Sequence, residues 1–373
     1  MPSLIRKIAK KTSVAINLFT AILFFLSCVA PYLNPESWWM LSILGIGFPI
    51  LIAIQIGFVF WWLITKPKLL WLPLIVLLIG YKSIGVFIGV QFNEKSNSVK
   101  SSSSIRVVSW NVARFREWRR NSNKKSQVRL KMLQQLKEQN ADVICLQEFF
   151  YSTDSNYYHN IKELKKMGYP YFYFSYDASK QQQYVGSAIF SRYPIVDSGK
   201  VRYFRPSVPE ALIYVDLKIK NDTIRVFTTH LQSVQFQKKD YEAINEITKA
   251  EDSLFVHSKT ILSKLKKAIK YRSTQADLVR KILDDSPFPK IMCGDLNDIP
   301  NSYTYFTIRG DMQDAFLKKG MGIGRTFNGL SPTLRIDYIF VEKSLAINQF
   351  RRVINNYSDH YMLSTDIQIN NWE

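Results

Sequence analysis

Six short pieces of this sequence set a carboxylate, a carboxamide or an imidazole against an apolar run. They are Ser109-Trp110-Asn111-Val112, Leu146-Gln147-Glu148, Thr229-His230-Leu231, Gly294-Asp295-Leu296-Asn297, Arg335-Ile336-Asp337-Tyr338-Ile339 and Ser358-Asp359-His360. The densest follows the apolar run Lys290 to Cys293, which is long enough for a buried strand and too short for a helix. Gly294 allows the backbone to turn where that strand stops. Asp295, Asn297 and Asp298 then place two carboxylates and a carboxamide at one strand end. Hard oxygen ligands of this kind suit a Mg²⁺-bound phosphate. Taken alone, the same residues read equally well as a polar turn, because Asp and Asn tolerate unusual backbone angles.

The other pieces carry the same ambiguity singly. Asn111 sits inside a β-rich run, where a buried amide needs partners. Glu148 closes an apolar strand and is either exposed or a ligand. Of the four histidines, His230 and His360 fall inside these pieces, whereas His159 and His257 read as surface residues of helices. An isolated Asp-His pair such as Asp359-His360 is ordinary. Arg335 reads as a salt-bridge partner at least as readily as a phosphate contact.

The elements that must position these residues alternate in type. Strands are expected at Ile105–Val112, Ala141–Glu148, Tyr184–Phe190, Leu334–Val341, Leu345–Val353 and Tyr361–Ile369. Ala211–Ile219 and Thr223–Thr229 form a hairpin about Lys220-Asn221-Asp222. Helical spacing predicts helices over Gln127–Asn140 and Asn156–Met167, and the charged stretch Lys238–Asp285 reads as two more. Mixed strands with helices between and outside them predict two packed sheets flanked by helices, an α/β arrangement. No periodic repeat is present, although the order of elements looks duplicated in two halves.

Ahead of this lies an apolar first quarter. Val14–Leu33 and Trp38–Thr65 carry no charge, Glu36 lying in the loop that joins them, and each is long enough to cross a bilayer. Tryptophans at both ends of the second fit interfacial belts. Leu69–Val90 is interrupted by Gly80 and Lys82; it reads as a third span, with a re-entrant or interfacial segment as the alternative. A cleavable signal is disfavoured for the first segment, because a second apolar run follows at once without a clear cleavage site. Basic residues precede the first span and separate the second from the third, so the N-terminus is expected in the cytoplasm. Three spans then put the catalytic part outside the cytoplasm, in a multi-pass protein of the cell membrane; two would leave it inside. The expected division is a membrane region at 1–92, a polar linker at 93–104 and a catalytic domain at 105–373.

The chain carries 50 basic and 30 acidic residues, a formal charge of +20. Residues up to Lys100 hold nine basic and two acidic, leaving 41 and 28 in the remainder. Such an excess suits an anionic partner, whether nucleic acid, membrane or phosphorylated substrate, without choosing among them. The three cysteines form neither a disulfide framework nor a paired zinc site.

In this order and spacing the six pieces resemble those of the endonuclease/exonuclease/phosphatase superfamily, the DNase I-like metal-dependent phosphoesterases. The resemblance covers about Ile105 to Ile369. It implies a four-layer, two-sheet sandwich flanked by helices, preceded here by transmembrane helices. It implies that Asn111 and Glu148 form a Mg²⁺ (or Mn²⁺) site with Asp359 beside it. Asp295 would position or deprotonate the attacking water, and Asn297 would hold a phosphoryl oxygen. His360 would act as general acid/base or transition-state stabiliser, oriented by Asp337, and His230 would contact the phosphate. The implied activity is hydrolysis of a phosphodiester, with nucleic acid, a phospholipid head group in the manner of a sphingomyelinase, or a small phosphoester as substrate. A non-catalytic domain that binds an anionic partner is the competing class; it has no need of Asp295, Asn297, Asp337 and His360 together.

Overall fold

The computed structural model describes residues 2–91, 100, 103–117, 127–204, 210–237, 240–242 and 254–369, the side chains of 2–3 and 254–258 excepted. The strands in chain order are β1 (Gly89–Val90), β2 (Ser104–Asn111), β3 (Val143–Ser152), β4 (Tyr171–Phe174), β5 (Ala178–Lys180), β6 (Gln183–Ser191), β7 (Ile195–Arg202) and β8 (Ala211–Ile219). They continue with β9 (Asp222–His230), β10 (Lys290–Asp295), β11 (Gln313–Asp314), β12 (Met321–Gly322), β13 (Asp337–Val341), β14 (Ala346–Val353) and β15 (Met362–Gln368). Two sheets result, ordered β14-β15-β2-β3-β6-β4 and β11-β13-β10-β9-β8-β7, with β5 paired to β6. Each has one parallel pair at its centre, β2 with β3 and β9 with β10. The two halves repeat this strand–helix–strand unit, which accounts for the duplicated order of elements.

Alternation along the central strands builds the layers, because successive side chains point to opposite faces. Ile105 and Val107 of β2 face Val215, Val226, Ile291 and Ile339 in the core between the sheets. Val108 and Trp110, on the other face of β2, pack with Met132, Leu133 and Leu136 of the helix Gln127–Glu138. On the far side, Phe227, Met292 and Phe340 pack with Ala276, Val279 and Leu283 of the helix Leu254–Asp284. These are the four expected layers. Cys28, Cys145 and Cys293 are all free and buried, as small apolar side chains.

Several boundaries differ from the sequence reading. The second predicted helix begins at Asn160, and the strand expected from Leu334 begins at Asp337. The charged stretch holds the long helix Leu254–Asp284 and a helical segment at 240–242, while 243–253 between them, like much of the expected linker, lie outside the described residues. Gly294 makes no turn. It lies within β10, where a Cβ would stand 2.5 Å from the Thr229 carbonyl oxygen; glycine is there for close strand approach. The turn comes at Asn297, whose φ is 51°.

The apolar quarter forms helices Pro2–Val29, Pro35–Ile46 and Phe48–Thr65. Two helical stretches, Leu4–Tyr32 and Phe48–Thr65, are long and apolar enough to cross a membrane. A buried polar set ties them together: Asn17 Nδ2 donates to Gln55 Oε1 (3.1 Å) and Trp62 Nε1 to Asn17 Oδ1 (2.8 Å). The third apolar segment is interrupted at Gly80 into Trp71–Ile79 and Tyr81–Gly85. This region contacts the sandwich directly. Asn301 Nδ2 donates to the Ser27 carbonyl (2.9 Å), Lys270 pairs with Glu36 (3.6 Å), and β1 pairs with β12. Arg335 is wholly enclosed, donating to Asp314 Oδ2 (2.6 Å) and to the Val86 carbonyl. It is a structural ion pair and does not reach the site.

Arg106 and Asp366 form a two-pronged pair across β2 and β15, at 2.6 and 2.8 Å, with both side chains 2% exposed. Removing one member leaves the other charge buried and unmatched. Asp366→Ala is expected to cost about 3–5 kcal/mol. Lys343→Ala, which breaks the exposed 3.6 Å pair with Asp311, should cost less than about 1 kcal/mol. Denaturant melts of the two variants check the contrast.

Candidate active site

Strand register brings the chemistry together. Asp295 closes β10 and lies opposite His230 of β9 and Asp337 of β13. Directly paired residues share a face, so the three side chains stand in a row. Asn111 closes β2 of the other sheet, and its Nδ2 donates to Asp295 Oδ2 at 3.0 Å. The second carboxylate oxygen of Asp295 accepts from the Asn297 amide N–H at 2.9 Å.

Two imidazoles converge on Asp295. Nε2 of His230 and Nε2 of His360 each lie 3.6 Å from Asp295 Oδ2. Each is backed by a carboxylate: Glu210 Oε1 lies 3.2 Å from His230 Nδ1, and the Asp337 oxygens lie 3.0 and 3.1 Å from His360 Nδ1. Burial opposes the charged form of the His360 ring, but Asp337 and Asp295 outweigh it and push the ring up to about 10. Desolvation lifts Asp337 to about 6, with the His360 charge pulling the other way. His230 is likewise raised, its burial overcome by Glu210 and Asp295. Burial pushes Glu210 up to about 8. The main-chain position of His360 is fixed as well, its carbonyl accepting from Trp110 Nε1 at 2.9 Å.

Glu148 sits where the β3–β6 register shifts between Leu146 and Phe149. Its φ is 49°, a left-handed setting that costs roughly 1–3 kcal/mol for a side-chain-bearing residue. The bulge re-aims it, as bulges beside active sites do. Arg114 Nε lies 3.3 Å from Glu148 Oε2, within a run from Ala113 to Arg116 that is also left-handed. Asp359 is exposed at the rim, its Oδ1 accepting from Ser358 Oγ at 3.2 Å. Asn297 is held by its side-chain amide, which donates to the Leu231 carbonyl at 2.9 Å.

Asn111, Glu148, His230, Asp295, Asn297, Asp359 and His360 all line one cavity of about 430 Å³. Asp337 stands behind His360. Thus seven of the eight expected site residues meet the cavity and the eighth supports one of them. Among the described residues, Asp295, Asp337 and His360 form one group whose ligand atoms lie within 4.8 Å of one another. The His360–Asp337 hydrogen bond, with Asp295 3.6 Å from the other ring nitrogen, reads as a proton relay. Asn111, Glu148 and Asp359 offer oxygen donors only, the set a hard divalent cation takes. The guanidinium of Arg114 beside Glu148 marks where positive charge is wanted.

Sequence reading missed Glu210 and Arg114, and gave Asp298 only a turn role. Asp298 in fact accepts from Arg272 Nε (3.2 Å) and Thr304 Oγ1 (2.7 Å), clamping the site loop to the long helix. Glu210 precedes β8 without any motif around it. Its position before a strand of the same sheet is the one signal available.

The profile of the Endonuclease/Exonuclease/phosphatase family matches residues 108–360. A second profile, described as a domain of unknown function, matches residues 10–87. No curated protein matches the chain by sequence. Among solved structures, the catalytic domain of human Nocturnin with bound sulfate is 17% identical, with 72% of this chain and 96% of that chain covered and a TM-score of 0.50. A humanized D. rerio TDP2 carrying 14 mutations is 16% identical over 72% of this chain and 100% of that one, with a TM-score of 0.51. D. rerio TDP2 complexed with a single-strand DNA product gives 16%, the same coverages and 0.50. These structures share the fold, and with the profile spanning most of the sandwich and every motif in place, the chain belongs to the endonuclease/exonuclease/phosphatase family of phosphoric-ester hydrolases.

Proposed function

We propose that this protein is a membrane-anchored, divalent-metal-dependent phosphoesterase that hydrolyses a phosphodiester. The observation that carries the reading is the convergence of two carboxylate-backed imidazoles and Asn111 on Asp295 inside one cavity. Asp295 orients the attacking water and takes its proton. His360, held charged by Asp337, faces the phosphate, stabilises the charge that builds there and can return a proton to the leaving alcohol. His230, backed by Glu210, and Asn297 contact the phosphoryl oxygens. Mg²⁺ or Mn²⁺ held by Asn111, Glu148 and Asp359 would neutralise phosphate charge when bound.

For the substrate we favour an amphiphile whose phosphoester is reached at a membrane surface, a phospholipid head group. The cavity wall carries Phe236, Leu265, Ile299, Leu330 and Leu334, and also Ile46 from the apolar N-terminal quarter. A polynucleotide would not call for that wall. The basic excess favours nucleic acid as the second reading.

Residues 1–92 serve as the membrane region, 93–104 as linker and 105–373 as the catalytic domain. The chain ends of the helices support an extracytoplasmic catalytic domain. Lys66 comes beside Lys10 at one end of the bundle, whereas Ser27 and Val86 touch the sandwich at the other. The stretch Pro67–Gly85, with its 3₁₀ turn and two helices, is roughly 30 Å long. It returns the chain across the bilayer despite its interruption, and the basic end lies inside.

Asp295→Ala and His360→Ala should each lower kcat on bis-p-nitrophenyl phosphate by about 10²–10⁴-fold, with circular dichroism showing that both variants still fold. EDTA should abolish turnover, and Mg²⁺ or Mn²⁺ should restore it. Persistent turnover in EDTA would remove the metal from the mechanism. Vesicle phospholipid hydrolysed in preference to plasmid DNA or RNA supports the favoured substrate; DNA cleavage with steep salt dependence supports the second reading. A reporter fused after Glu373 should work only outside the cytoplasm, and activity inside would overturn the sidedness.

A further inference from the structure

Beyond Glu148 the catalytic cavity continues into a second pocket of about 270 Å³, with Glu148 and His230 lining both. Phe150 and Val185 contribute apolar lining, Asp177 and Glu210 carboxylates, and Arg114 and Lys180 cationic side chains. Neither carboxylate is fully matched. Asp177 Oδ2 accepts from Ser175 Oγ, but Oδ1 has no hydrogen-bond donor among the described residues, although the side chain is only 7% exposed. The Lys200 ammonium stands 3.8 Å from Oδ1, outside hydrogen-bonding distance, and donates instead to the Ser175 carbonyl. Glu210 Oε1 faces His230 Nδ1, and its buried Oε2 likewise has no donor among the described residues. Buried carboxylate oxygens left without donors are costly, and their persistence points to a donor supplied from outside the chain. Gly186 keeps this cradle open: a Cβ there would stand 2.2 Å from Ser175 Oγ and 3.0 Å from Asp177 Oδ2.

The chemistry of the donor follows from what the pocket refuses. Asp177 disfavours an anion, since of the two cations that also line the pocket Arg114 is taken up by Glu148 at 3.3 Å and Lys180 is exposed to solvent. A bare metal ion would find here one open oxygen each from Asp177 and Glu210, short of the roughly six or more ligands a hard cation takes. A quaternary ammonium has no N–H to offer. A primary ammonium carries three donors on a compact cation, and a short alkyl stem would rest against Phe150 and Val185.

We propose that this pocket binds a primary ammonium group carried by the substrate, with Asp177 Oδ1 and Glu210 Oε2 as acceptors, so that the enzyme selects phosphoesters of amino alcohols. The proposal rests on the phosphoesterase reading. The ammonium can belong to a lipid head group or to a soluble ester, and the two sources are separable by assay.

The full chain in detergent with Mg²⁺ is assayed on glycerophosphoethanolamine against glycerophosphocholine, a pair of equal charge that differs in N–H donors. Phosphatidylethanolamine and phosphatidylcholine in otherwise identical vesicles form the second pair. A preference for the primary amine of about tenfold or more in kcat/KM is expected. Preference in the soluble pair identifies a free ester as sufficient; preference in vesicles alone identifies the lipid. Asp177→Asn should erase the preference while leaving turnover of bis-p-nitrophenyl phosphate unchanged. Ser179→Trp, at an exposed position of the pocket lining, should do the same by blocking the pocket, and it decides the matter if the first variant does not fold. Equal turnover of both members of each pair, or a preference that survives in the folded variants, overturns the proposal. Failure to hydrolyse even bis-p-nitrophenyl phosphate would overturn the phosphoesterase reading instead.

Discussion

A single buried carboxylate, Asp295, sets the terms for the rest of the structure. It is fully enclosed at the point where the two sheets meet, and an enclosed anion is tolerated only when donors and positive charge surround it. The Asn111 amide, the Asn297 N–H and the imidazoles of His230 and His360 supply those partners from four separate places in the chain. The sandwich brings them together through register: β9 and β10 end, and antiparallel β13 begins, level with one another. Gln147 fastens the two sheets just below, with its Nε2 donating to Thr228 Oγ1 at 2.8 Å. Strand ends, inter-sheet contacts and site geometry are therefore one problem with one solution.

That dependence explains what could be read in advance. Strands buried on both faces are near-continuous apolar runs, so β2, β3, β8, β9 and β10 were visible, and polar residues at their ends stood out against them. The helix Gln127–Glu138 followed from its leucine spacing. Less was visible where tertiary contacts outrank local pattern. Glu210 owes its importance to His230 across the sheet, and Arg114 to a left-handed run that no residue type announces. Gly294 suggested a turn, and instead relieves crowding against Thr229. Asp298 looked like turn chemistry because its partner Arg272 comes from a distant helix.

The N-terminal quarter shares the same logic on a larger scale. Its buried Asn17, Gln55 and Trp62 satisfy one another across two helices, as polar groups among apolar helices must. Its contacts with the sandwich, at Ser27, Glu36 and Val86, fix the cavity beside Ile46. The N-terminal quarter thus contributes Ile46 to the cavity wall.

The central claim is that water oriented by Asp295 attacks phosphorus. Hydrolysis of bis-p-nitrophenyl phosphate by the full chain with Mg²⁺ in ¹⁸O-labelled water tests it directly. The account predicts one ¹⁸O in the p-nitrophenyl phosphate product and none in the released p-nitrophenol. Label in the phenol, or the absence of metal-dependent turnover, would contradict it.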